Sequence, residues 1–237
     1  MIQERYIEYE HDGQLLEGFL AYDDSLDISK PGIIIAPAWA GRSNFECDKA
    51  RKLALQGYVG FACDLYGKGI LGKSTEENAA LMQPFLDDRE LLQNRLISIL
   101  QTLQTQTEVD EASVAIMGYC FGGMCALDLA RIGVEIKGAV SFHGLFGAPQ
   151  NTKGNKISAR ILALHGHEDP MAPVESVIDL ENELTAAGAD WQIHAYGNTM
   201  HAFTNPKAND PSFGTVYNEA ADKRSWQSLL NFLDEIF

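Results

Sequence analysis

"SVAIMGYCFGGMCALDLARI", residues 113–132, decides the fold. An apolar, β-branched run gives way within a few residues to a helical pattern, with Cys120 between Gly118 and Gly122 at the change. The same rhythm extends in both directions. Strand-like runs are "QERYIEYE", "QLLEGFLAY", "GIIIAPA", "YVGFACDL", "SVAIMGY", "KGAVSFHG", "RILALHG" and "DWQIHAYG". The first two alternate around His11-Asp12-Gly13, whose Asp-Gly is a hairpin signal. The later ones are continuously apolar, as strands buried on both faces are. Between them lie helical patterns: "ECDKARKLALQG", a long segment from Pro84 to about Gln106, "FGGMCALDLARI", "PVESVIDLENELTAAG" and the C-terminal "NEAADKRSWQSLLNFLDEIF". Pro84 and Pro173 are expected in first helical turns, and Gly57 and Gly188 as C-terminal stops. Strand alternating with helix predicts one α/β domain over residues 1–237. Its sheet would be mostly parallel, of about eight strands, opened by an antiparallel hairpin and covered by helices on both faces.

Composition narrows the function. A net charge of −15 over 237 residues argues against binding nucleic acid, which needs clustered Lys and Arg. The N-terminal "MIQERYIEYEHDG" carries charges where a signal peptide needs an apolar core. Apolar stretches such as "GIIIAPAWAG" are half of the roughly 20 residues that span a bilayer. No membrane association and a cytoplasmic location are therefore expected. The cysteines, Cys47, Cys63, Cys120 and Cys125, form no CxxC pair and no zinc spacing, so free thiols and no metal are expected.

In a parallel sheet, reactive groups belong at the carboxyl ends of strands. Gly118-Tyr119-Cys120-Phe121-Gly122 fits G-x-nucleophile-x-G, in which a strained strand-to-helix turn presents the central side chain and the glycines let strand and helix approach. The helix N-terminus there favours a thiolate. The N–H of Phe121 would face a developing oxyanion. A buried cysteine in a tight turn is the alternative reading of this motif alone. In "LHGHEDP", Asp169 is the candidate acid and Glu168 its rival; in "YGNTMHAF", His201 is the candidate base. Nucleophile, acid and base then follow one another along the chain, each after its own strand.

"DLYGKG", "GYCFGG", "LHGHEDP" and "MHAF", in this order, resemble the dienelactone hydrolase family of α/β-hydrolases from about residue 14 to the C-terminus. The resemblance implies Cys120 as nucleophile, His201 as base and Asp169 as acid, with the N–H of Trp39 as second oxyanion donor. It implies cleavage of a small ester or lactone through an acyl-cysteine, with no cofactor.

The chain departs from the family pattern in two places. The family's prototype carries a Gln-Glu pair after the third strand, where Pro37 and Ala38 stand here. The prototype also holds its substrate's carboxylate with two arginines. One appears as Lys68; the other falls near Asn205, where there is no cation, and Arg42 is a candidate substitute. Tyr119 and Phe203, with Trp39 and Phe121, are candidates to line an apolar pocket. General small-ester hydrolysis is therefore preferred to strict cleavage of an anionic dienelactone. The other histidines, His11, His143, His165, His167 and His194, read as structural, with His143 the candidate for a place near the site. A second reading makes Cys120 a redox- or electrophile-sensing thiol without turnover. Cys125 is badly placed to resolve it, which weakens that reading. The oligomeric state is left open.

Overall fold

The computed structural model describes residues 1–25 and 28–237. They fall into two compact units, Met1–Met117 and Gly118–Phe237. Eight strands follow the order β1-β2-β4-β3-β5-β6-β7-β8 in one sheet, antiparallel where β2 meets β1 and β4, and parallel between β3 and β4 and from β6 through β7 to β8.

The first unit opens with β1 (Ile2–His11) and β2 (Gln14–Asp23), paired residue for residue from Ile2↔Asp23 to His11↔Gln14. The turn between them has φ of 53° at Asp12 and 69° at Gly13, the two positive values that a tight hairpin matching strand twist requires. Then come β3 (Lys30–Ala36), α1 (Asn44–Ala54), β4 (Val59–Ala62), α2 (Thr75–Asp87), α3 (Arg89–Gln104) and β5 (Val109–Tyr119). At Gly60 a Cβ would lie 2.6 Å from the backbone of Ala50, so this glycine lets β4 pack tightly on α1. Ser43 and Glu46 form a reciprocal capping box at the start of α1. Glu46 is buried, and its other oxygen accepts the N–H of Ala38 at 3.3 Å, so one carboxylate both caps the helix and pins the loop after β3.

The long helix expected from Pro84 is two helices, and Pro84 is not in a first turn. It lies in the last turn of α2, which starts at Thr75 behind the Ser74 N-cap. Asp88 breaks the segment: it closes α2 and its carboxylate accepts the N–H of Leu91 at 2.9 Å to cap α3. A serine N-cap followed by acidic first-turn residues outweighed the proline as a start signal.

The second unit contains α4 (Phe121–Arg131), β6 (Gly138–Phe142), β7 (Arg160–Gly166), α5 (Val174–Ala187), β8 (Trp191–Tyr196) and α6 (Glu219–Ile236). Pro173 is the N-cap of α5, one position before the expected first turn, and Gly188 closes that helix with φ 72°. A two-residue ribbon, β9 (Asn209–Asp210) with β10 (Thr215–Val216), is an element that sequence patterning did not give. The buried Arg131 guanidinium ties α4 to α5 through both oxygens of Glu183 (2.8 and 2.7 Å) and also reaches the carbonyl of Phe146 at 2.7 Å. Among the described residues, no helix is long and apolar enough to cross a membrane.

Arg5 on β1 grips Glu108, just before β5, with two hydrogen bonds of 2.6 and 2.8 Å. Those bonds hold the Glu108 carboxyl down to about 2. A carboxylate depressed in this way stabilises the fold above its unfolded value and loses that contribution as pH falls towards the folded one. Because the pair is partly solvated, Glu108→Gln should cost about 1 kcal/mol at pH 7. The gap should close at about pH 2, as urea unfolding midpoints at the two pH values will show.

Candidate active site

Three contacts build the turn at Cys120. A Cβ on Gly118 would lie 2.0 Å from the carbonyl oxygen of Gly122, so strand and helix meet only because residue 118 has no side chain. A Cβ on Gly123 would lie 2.8 Å from the Cα of Gly144, the second residue after β6. Cys120 itself has φ 57° and ψ −117°, a costly backbone for a residue with a side chain. It is held there by its N–H donating to the Phe142 carbonyl at 3.0 Å and its carbonyl accepting from Gly123 at 2.9 Å. Cys120 is partly exposed, whereas Cys47, Cys63 and Cys125 are buried. Burial pushes the Cys47 and Cys63 thiols up, which makes them poor nucleophiles.

Asp169 and His201 are both buried, and His201 Nδ1–H donates to Asp169 Oδ2 at 2.7 Å. The second oxygen of Asp169 accepts the N–H of Met171 at 2.8 Å, so neither carboxylate oxygen is left idle. Burial alone would lower the pKa of His201. Cys120 and the hydrogen-bonded Asp169 outweigh it, and the imidazole is raised to about 10. The other nitrogen, Nε2, is buried, and Cys120 is the side chain besides Asp169 whose charge and hydrogen bonding favour the protonated ring.

Glu168, the rival acid, points elsewhere. It is exposed, and its carboxylate accepts the N–H of Thr199 at 2.6 Å. That bond, with the Glu168 N–H to Thr199 carbonyl contact of 3.0 Å, fastens the loop of Asp169 to the loop of His201. Gly166 packs against the same segment, since a Cβ there would lie 2.6 Å from the Thr199 carbonyl. On the other flank, His201 N–H donates to the Gly214 carbonyl at 2.9 Å, and Val216 N–H donates back to His201 at 3.1 Å. Gly214, with φ 79°, sits so close to Pro170 that a Cβ would lie 2.2 Å from the proline ring.

The remaining candidates are placed as follows. Phe121 is the first residue of α4 and buried. The ring of Tyr119 stacks on Phe142 with centroids 4.7 Å apart, and Phe203 lies between His143 and Tyr196; both are fully buried. In the first unit, the Trp39 carbonyl accepts the hydroxyl of Tyr66 at 2.9 Å. Arg42 donates to the Glu17 carbonyl at 2.7 Å and to its carboxylate at 3.0 Å, with its guanidinium over the ring of Tyr6. Lys68 pairs with Glu8 and, at 3.3 Å, with Glu17. Each cation offered for an anionic substrate thus has a carboxylate of its own. Sequence reasoning overlooked Glu46, the bracing role of Glu168, and the β9–β10 ribbon. The first was legible as Ser-x-x-Glu before a helix; two-residue strands leave no periodicity to read.

A sheet of this order, with helices around it, is that of an α/β-hydrolase. A solved structure named m3DLH superposes with a TM-score of 0.94 at 34% identity, over 100% of this chain and 99% of its own. The dienelactone hydrolase-like promiscuous phosphotriesterase P91 from metagenomic libraries gives 0.94 at 29% identity over the same shares. A Salmonella typhimurium protein assigned as a carboxymethylenebutenolidase is 24% identical over 231 residues, 93% of this chain and 83% of that protein. The chain belongs to the dienelactone hydrolase family, whose model matches residues 16–237, and is an ester hydrolase.

The glycine contacts generate a test. Gly118→Ala forces an overlap with backbone that cannot move without opening the turn. It should destabilise the protein by about 3 kcal/mol and remove activity even below the melting temperature. Gly214→Ala meets the Pro170 ring instead. It should leave the melting temperature nearer wild type while lowering kcat, as calorimetry and steady-state kinetics together will show.

Proposed function

We propose that the protein hydrolyses small, predominantly neutral esters and lactones through Cys120, His201 and Asp169. The observation that carries this reading is the buried His201–Asp169 pair in the unit whose strained turn presents a half-exposed thiol. The thiolate attacks the carbonyl carbon, a C–S bond forms, and the π pair moves onto oxygen. The oxyanion takes hydrogen bonds from the N–H of Phe121 and, by the family resemblance, of Trp39, each worth on the order of 3 kcal/mol. Collapse breaks the C–O bond, and His201 gives its proton to the departing alkoxide. Water then loses a proton to His201 as it attacks the acyl-cysteine, and the thiolate leaves with the acid as product. Asp169 holds the imidazole in one tautomer and stabilises its protonated form.

The neutral preference rests on charge. Lys68 and Arg42 have carboxylate partners, and a chain of net charge −15 repels anions at long range. Likeness to the phosphotriesterase P91 favours a second reading of the same site, in which the thiolate displaces an aryloxide from a neutral phosphotriester. The phosphorus would then pass from sulfur to water.

Turnover of a panel of short esters, lactones and an aryl phosphotriester tests both readings. Cys120→Ala should abolish all of it with circular dichroism unchanged; retained hydrolysis would sink the assignment of the nucleophile. Lys68→Met should leave the ratio of neutral to anionic lactone turnover within about twofold, whereas a carboxylate-binding lysine would shift it by about tenfold. Because Asp169 helps raise His201, Asp169→Asn should move the alkaline limb of kcat/KM down from about 10 and cost at least about 100-fold in kcat.

A further inference from the structure

We propose that His143 is a positioning residue that sets the plane of the catalytic imidazole, an inference that rests on His201 being the base. The hydrogen bond that His201 Nδ1–H donates to Asp169 holds one edge of the ring. The His143 ring packs against the imidazole as a second restraint on its plane. Its centroid is 5.1 Å from that of His201, with the planes at 66°. It makes a second edge contact, also 5.1 Å and at 77°, with Phe203. Its Nε2 shares a 2.8 Å hydrogen bond with the hydroxyl of Thr204. His143 therefore grips the base loop at residues 201, 203 and 204.

The loop being gripped needs holding. Ala202, between the base and Phe203, has φ 56°, a conformation that side chains other than glycine adopt only under constraint. His143 has φ 37° and is nearly fully buried. Its own backbone is bolted to the nucleophile. Phe142 before it accepts the Cys120 N–H at 3.0 Å, and at Gly144 after it a Cβ would lie 3.0 Å from the Gly123 carbonyl carbon. The His143 N–H is anchored to the Leu164 carbonyl on β7 at 2.8 Å. One residue thus connects the backbone that aims the sulfur with the ring that must exchange a proton beside it.

Steady-state kinetics and pH profiles on His143→Ala, His143→Phe and Thr204→Val test the proposal. His143→Ala is expected to lower kcat on the order of 10–100-fold, the cost of small misplacements, with KM within about twofold. It should also shift the alkaline limb of kcat/KM away from about 10, because His201 relaxes relative to Cys120 and Asp169. His143→Phe restores a ring and should recover most of kcat and the limb. Thr204→Val should show a smaller loss, not additive with that of His143→Ala, since both act on one contact. If His143→Ala does not fold, Thr204→Val decides. A wild-type kcat and pH limb in folded His143→Ala or, where that variant does not fold, in Thr204→Val, or losses that follow only the melting temperature, overturn the proposal. Turnover retained by His201→Ala would instead overturn the reading of the base, which keeps the two failures apart.

Discussion

The contact on which the active site depends is an absence of atoms: the backbone of Gly118 lies so close to the carbonyl of Gly122 that no side chain fits between them. That approach bends β5 into α4 within one residue and leaves Cys120 in a strained conformation at the turn. Strain of this kind costs on the order of 1–3 kcal/mol and persists only where neighbouring structure over-determines it. Here the neighbour is β6, which accepts the Cys120 N–H through Phe142 and receives Gly123 against Gly144. On the proposed reading, a sulfur atom raised on a rigid turn has already given up the freedom that would otherwise be lost on reaching a transition state.

The base loop is held by a different device. Nothing in residues 197–205 is regular structure, and two of its residues, Asn198 and Ala202, have positive φ. Order comes from its neighbours. Gly166 and Glu168 clamp Thr199 from the side of the acid, and the β9–β10 ribbon takes His201 into a short backbone ladder on the other. Gly214 seats the ribbon against Pro170, the residue next to the acid. Asp169 and His201 are therefore positioned by the same packed cluster, which surrounds the 2.7 Å bond between them.

Patterns that repeat were legible in the residues, and contacts between single residues were not. The strands, the hairpin turn at Asp12-Gly13 and the helix stop at Gly188 follow from periodicity and from backbone freedom, which are local properties. The candidate acid and base could be named because a loop after an apolar strand is recognisable without its neighbours. The break at Asp88 was missed because a proline was weighted above a serine cap and its acidic first turn. The double duty of Glu46 and the bracing by Glu168 depend on partners reached only through the fold, such as Ala38 and Thr199.

The absence of the glutamate that the family's prototype carries after the third strand is less of a gap than it first looks. On the proposed reading, that carboxylate need not activate the thiol, because the imidazole beside it already resists deprotonation. Burial disfavours the imidazolium of His201. Against it stand Cys120 and the two-point-held carboxylate of Asp169, and together they raise the ring to about 10. The carboxylate near the β3 loop, Glu46, is spent on Ser43 and Ala38 and holds the backbone from which Trp39 projects. Glu46, at the start of α1, thus lends rigidity to the loop after β3.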